Sequence, residues 1–141
     1  MRAGLPGQIA DMNGYDADTR IVESAGGIPF GVVCGQGAAD KGAVIGGANP
    51  VGISIRDITL IHDTANLDRF VQKENVALLK RGTIWVIVGG TVTPTSVVSY
   101  NLATGIVSAA ADDGSNDLLP GAKFLTSATV GQIAQLRVLM P

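Results

Sequence analysis

Val76-Ala77-Leu78-Leu79-Lys80-Arg81-Gly82-Thr83-Ile84-Trp85-Val86-Ile87-Val88 is the stretch that decides the fold class of this 141-residue chain. Two runs rich in β-branched and aliphatic residues flank a Lys-Arg-Gly corner, a pattern that predicts a β-hairpin. In the second run Ile84, Val86 and Val88 point one way and Thr83, Trp85 and Ile87 the other, so both faces are largely apolar. A strand apolar on both faces lies in the middle of a sheet or at an interface. For Trp85 itself, core packing is favoured over a role as interface anchor.

Outward from this pair, short apolar segments recur at residues 28–33, 51–56, 97–102, 122–125 and 130–138, each bounded by Gly, Pro or Asn/Asp. That is the pattern of a many-stranded, all-β domain. The 130–138 run also fits helical spacing in part, but strand is preferred there. Helix is expected only over 63–71, where Asp63-Thr64 offers a cap and Leu67, Phe70 and Val71 share a face. The chain holds 19 Gly, about twice the usual share of roughly 7%, which favours turns and bulges over long helices. The first twenty residues combine Gly4, Pro6, Gly7 and Gly14 with Asp11, Asp16, Asp18 and Arg20 and follow neither period. They read as an extended N-terminal arm (1–20) ahead of a single β domain (21–141).

Composition removes several function classes. With 46% hydrophobic and 16% charged residues the chain is not disordered, and it is long enough to enclose one core without metal or disulfide. Ten basic against 12 acidic residues is too even a balance for binding nucleic acid through its phosphates. Lys80 and Arg81 are adjacent, with Lys73 nearby, but no aromatic is interleaved to stack bases. Such cations at a corner are solvated or pair with acidic groups on a partner protein. No apolar run is long enough to cross a bilayer, and the start lacks the apolar core of a secretion signal, so no membrane partner is expected and the protein reads as made and used in soluble form. Low charge leaves less polar surface than a free monomer carries, which favours assembly.

Reactive side chains are sparse. His62, the one imidazole, precedes Asp63, but neighbours on a strand face opposite ways and no elbow motif accompanies them, so it reads as structural. Cys34 is alone and has no basic neighbour, which leaves a small buried hydrophobe and no disulfide framework. One His and one Cys do not make a zinc site. The Asp112-Asp113-Gly114-Ser115-Asn116-Asp117 stretch lacks the alternating ligands and distal Glu of a calcium loop and reads as a solvated turn. Gly35-Gln36-Gly37-Ala38-Ala39-Asp40 carries only the first two glycines of a dinucleotide fingerprint, with no helix pattern after it. Gly46-Gly47 and Gly89-Gly90 read as turns or bulges. No catalytic residue, cofactor or metal is expected.

Several phrases occur in a telling order: Gly4-Leu5-Pro6-Gly7-Gln8-Ile9-Ala10-Asp11, Ile28-Pro29-Phe30-Gly31, Val51-Gly52-Ile53-Ser54-Ile55-Arg56-Asp57, the 76–86 stretch, and Gly121-Ala122-Lys123-Phe124. Together they resemble the structural cement, or head decoration, proteins of tailed bacteriophages, over nearly the whole chain. The resemblance implies a jelly-roll-like sandwich or barrel of short antiparallel strands on the outer surface of the virion capsid, made in the host bacterial cytoplasm. The implied partner is a major capsid protein of the HK97 type, whose neighbouring capsomers such proteins clamp during or after head expansion; no active site is implied. An extended arm suits this task, since its backbone can join a neighbour's sheet edge while Leu5 and Ile9 supply apolar contacts. The candidate capsid contacts are Leu5, Pro6, Gln8, Ile9, Lys80 and Arg81, on a protein expected to form a dimer or trimer. Alternatives are a tail or baseplate β module, or a carbohydrate-binding β-sandwich for the host surface. The last is weakened by a supply of only one Trp, two Tyr and three Phe for a sugar platform.

Overall fold

Strand β7 (Asn75–Ile87) runs unbroken through Lys80-Arg81-Gly82, and the rest of the molecule is arranged around it. The computed structural model describes residues 4–57 and 69–140. Chain order is β1 (Ile9–Val22), β2 (Ile28–Pro29), β3 (Val33–Gln36), β4 (Gly42–Ile45), β5 (Pro50–Ser54), β6 (Arg69–Phe70), β7, β8 (Ser99–Asn101), β9 (Val107–Ser108), β10 (Asn116–Leu118), β11 (Lys123–Phe124) and β12 (Ile133–Leu139). The described residues contain no helix.

The hairpin expected within 76–88 is corrected to one bulged strand. Ala17 pairs with Leu79 and Asp16 with Arg81, which leaves Lys80 as the extra residue on β7. Gly82 follows at φ 134°, a backbone conformation that side-chain-bearing residues rarely adopt. A polar corner ending in Gly suits a bulge as well as a turn, and here the two halves find separate partners. The first half pairs with β5 (Ile53 opposite Leu79), the second with β12 from Ile133 opposite Ile87 to Leu139 opposite Arg81. The bulge also reverses side-chain alternation, so Val76 and Leu78 enter one core while Leu79, Ile84 and Val86 enter another.

Strands β1, β4, β3, β5 and the first half of β7 close a five-stranded ring, because β1 pairs with β7 antiparallel and with β4 in parallel at Ile21 and Val22. Val22, Cys34, Ala43, Val76 and Leu78 pack together with Ile28 and Phe70 of the β2–β6 pair and with Phe30 in the turn after β2. Phe30 and Phe70 meet edge to face, 5.1 Å between centroids at 76°. Beyond the bulge, β7 continues with β12 and β11 as an open sheet. Its inner face, including Ile84, Val86, Phe124, Leu136 and Val138, packs against Tyr100 and Val107 of the small β10-β8-β9 sheet. The buried Tyr100 hydroxyl donates to the Gly47 carbonyl at 2.7 Å, and burial, with the Asp117 charge second, pushes its pKa up.

The all-β barrel-and-sandwich class expected from sequence holds, with three differences of detail. Residues 9–20, expected within an arm, do run extended, but they are hydrogen-bonded along β7. Asp11, Asp16, Ala17 and Thr19 are exposed, so this strand shows no apolar alternation in sequence. The run 28–33 is divided by a turn at Phe30-Gly31. The helix expected over 63–71 lies mostly outside the described residues, as does His62; of its described part, Arg69 and Phe70 are strand, paired with Pro29 and Ile28, and Val71 is not helical.

Candidate functional site

The N-terminal segment is built as a fixed turn. In Leu5-Pro6-Gly7-Gln8 the Gln8 amide donates to the Leu5 carbonyl at 3.0 Å, and Gly7 sits at φ 79°, the conformation demanded after Pro in a type II turn. Four further bonds tie it down: Gly7 N to Trp85 O (2.8 Å), Trp85 N to Gln8 O (2.9 Å), Arg56 N to Gly7 O (2.7 Å) and Arg56 Nε to Pro6 O (2.9 Å). The Arg56 guanidinium in turn lies 4.8 Å over the Phe30 ring. Gly4 rests on the Trp85 indole so closely that a Cβ there would overlap the ring. Trp85 therefore points outward from the sheet yet is only 9% exposed.

Beside this covered Trp, the same outward face is open. Asp11, Thr83, Arg137 and Lys123 are register partners in one row across β1, β7, β12 and β11, and Arg81 stands opposite Leu139 one step along. All of these but Lys123 line a groove of about 570 Å³, together with Leu125 and others, and Lys123 stands beside it, opposite Arg137.

Of the expected contact residues, Leu5, Gln8 and Arg81 are exposed while Pro6, Ile9 and Lys80 are half-buried. The fold brings the Leu5 turn and Arg81 to the outward side of the second half of β7, whereas Lys80 is the bulge residue. Arg137, Lys123, Leu125 and Leu139 were missed. The available signal was the alternation in β12, where Gln135, Arg137 and Leu139 interleave with buried Ala134, Leu136 and Val138.

Away from this face, Cys34, Asp113 and the polar groups of the β3–β4 turn are engaged within the fold. Burial pushes the Cys34 thiol up to about 12, only partly offset by hydrogen bonding with Ser54. Asp113 accepts the Ser115 and Asn116 amides, which hold its carboxyl below the usual carboxylate range. In the β3–β4 turn the Ala38 and Ala39 amides donate to Glu23, and the Gln36 amide nitrogen to the carbonyls of Gly37 and Ala39. No cluster of three or more His, Cys, Asp or Glu suited to a metal occurs among the described residues, and no described helix is long and apolar enough to cross a membrane.

Fold and surface together define a β protein whose distinctive feature is an outward sheet face with a turn fixed above it. The chain belongs to the structural cement protein family (E217 gp24/Pam3 gp6), whose model matches residues 1–139. Among solved structures it is similar to a chain in the capsid of Myoviridae phage XM1, with TM-score 0.70 and 15% identity, covering 96% of this chain and 89% of that one. It is also similar to the N base of head fiber gp8.5 of bacteriophage phi29, with TM-score 0.51 and 13% identity, covering 88% of this chain and 93% of that one. No curated protein sequence matches it.

Proposed function

We propose that this chain seats on the outer surface of a tailed-phage head, against a major capsid protein of the HK97 type, and stabilises the expanded lattice by bridging neighbouring capsomers. The family match over residues 1–139 carries the reading, and the fold shared with a chain of the XM1 capsid agrees with it. The subunit works without catalysis, is made in the host bacterial cytoplasm and acts as a dimer or trimer, for which exposed Val97 and Val130 offer apolar surface. Leu5, Pro6, Gln8, Ile9, Lys80 and Arg81 touch the shell.

The physics is linkage. A ligand that binds only the expanded lattice lowers that state's free energy by about 2.7 kcal/mol per site at a hundredfold excess over Kd, summed over many copies. A turn already fixed by five backbone-directed hydrogen bonds needs little further ordering on contact.

The test compares heads assembled without this protein before and after it is supplied. Supplied heads are expected to retain DNA to higher temperature and in chelator; equal loss overturns the reading. Leu5→Asp, at an exposed site, is expected to weaken head binding without moving the melting temperature of the free protein.

A further inference from the structure

We propose that the open groove on the β7–β12–β11 face is the seat of an extended acidic segment bearing aliphatic side chains, supplied by the capsid lattice protein; this rests on the cement reading above. Among the described residues, no ion pair or hydrogen bond reaches the side chains of Arg81, Arg137 or Lys123, and the ion pairs present both involve Asp18. Asp16 stands opposite Arg81 in register but forms no ion pair with it. Lys123 stands directly opposite Arg137, an exposed like-charge pair of the kind that destabilises a sheet. These cations gather on a chain whose net charge is -2, against its overall sign.

A sheet that keeps such a pair unneutralised departs from local rules, and departures of this kind concentrate where a partner completes the structure. Carboxylates from outside fit that need. Leu125 (40% exposed) and Leu139 (54% exposed) lie in the same lining, so the occupant must also offer aliphatic contacts. An extended strand, with side chains alternating between its two edges, presents both kinds of group. Nucleic acid fits less well, because no aromatic lines the groove and Trp85 is covered by Gly4.

The experiment uses the full chain and expanded heads assembled without it. Arg81→Glu with Arg137→Glu is expected to weaken head binding at least ~30-fold and to flatten its salt dependence, while Lys41→Glu with Lys73→Glu, the same charge change elsewhere, leaves binding unaltered. Arg81→Gln with Arg137→Gln, checked for an unchanged melt, guards against misfolding and is expected to weaken binding in the same direction. If the wild type itself fails to bind heads, the cement reading falls and this seat with it. If the wild type binds and both groove variants bind equally well, the seat is overturned and the cement reading stands. Two further outcomes overturn the seat: sedimentation in which the variants lose only self-association, and competition of short duplex DNA with heads for the wild type.

Discussion

Two charge clusters on this molecule are built from the same residue types and end differently. At the β1–β4 corner Arg20 meets Asp18 (3.2 Å), the Gln36 side-chain oxygen (2.6 Å) and the Gly42 carbonyl (3.3 Å), while Lys41 reaches Asp18 at 3.5 Å and Glu23 receives two loop amides. In and beside the groove Arg81, Arg137 and Lys123 make no ion pair or side-chain hydrogen bond among the described residues. The corner spends its charge on holding the chain together, and the groove keeps its charge available.

The largest effect that would break this contrast is at Cys34, buried among the ring's side chains. With its thiol pushed up to about 12, it should hold roughly a thousandfold less thiolate than a free cysteine. Alkylation near pH 8 should be correspondingly slow until the protein unfolds, and fast labelling of the native state would show that the ring opens readily.

Next comes Arg20→Ala. The side chain is 13% exposed and makes several charge-assisted bonds, so urea unfolding should report a loss of ~1.5–3 kcal/mol. Asp18 offers a smaller readout. Partial burial raises its carboxyl, but the Lys41 and Arg20 charges outweigh that and hold it below the ordinary 3.8. Its contribution is therefore complete above the unfolded value and lost as pH falls through the lower folded value. In an NMR titration Arg20→Ala should move the Asp18 midpoint upward, and an unmoved midpoint would remove Arg20 from the corner's electrostatics.

The smallest effect carries the opposite sign. Arg137→Gln relieves the repulsion with Lys123 and should leave stability unchanged or raise it by ~0.2–1 kcal/mol. A destabilisation matching that of Arg20→Ala would make the groove cations structural and erase the distinction.

Much of the fold was legible because apolar runs bounded by turn residues mark strands whichever partners they take. Val51, Ile53, Val76, Leu78, Ile84 and Val86 announced themselves in this way. Pairing was not legible at Lys80-Arg81-Gly82, since a bulge and a tight turn draw on the same residues and only distant strands decide between them. β1 escaped because its exposed Asp and Thr side chains leave no alternation to read. At the site, Leu5 and Arg81 were visible as an exposed apolar residue near Pro-Gly and a charged residue at a corner. Lys123 and Arg137 were not, because they meet Arg81 only through the β11–β12 and β12–β7 registers.

One long ladder has a mechanical consequence. β1 and β7 stay paired from Ile9 opposite Ile84 to Ile21 opposite Asn75, with bulges between. Tension drawn through the Leu5 turn along the strand axis would load that ladder in shear, straining many bonds together. β11, joined to β12 by the two pairs Lys123–Arg137 and Phe124–Leu136, would instead unzip when pulled. A subunit of this shape resists rupture according to the end by which it is gripped.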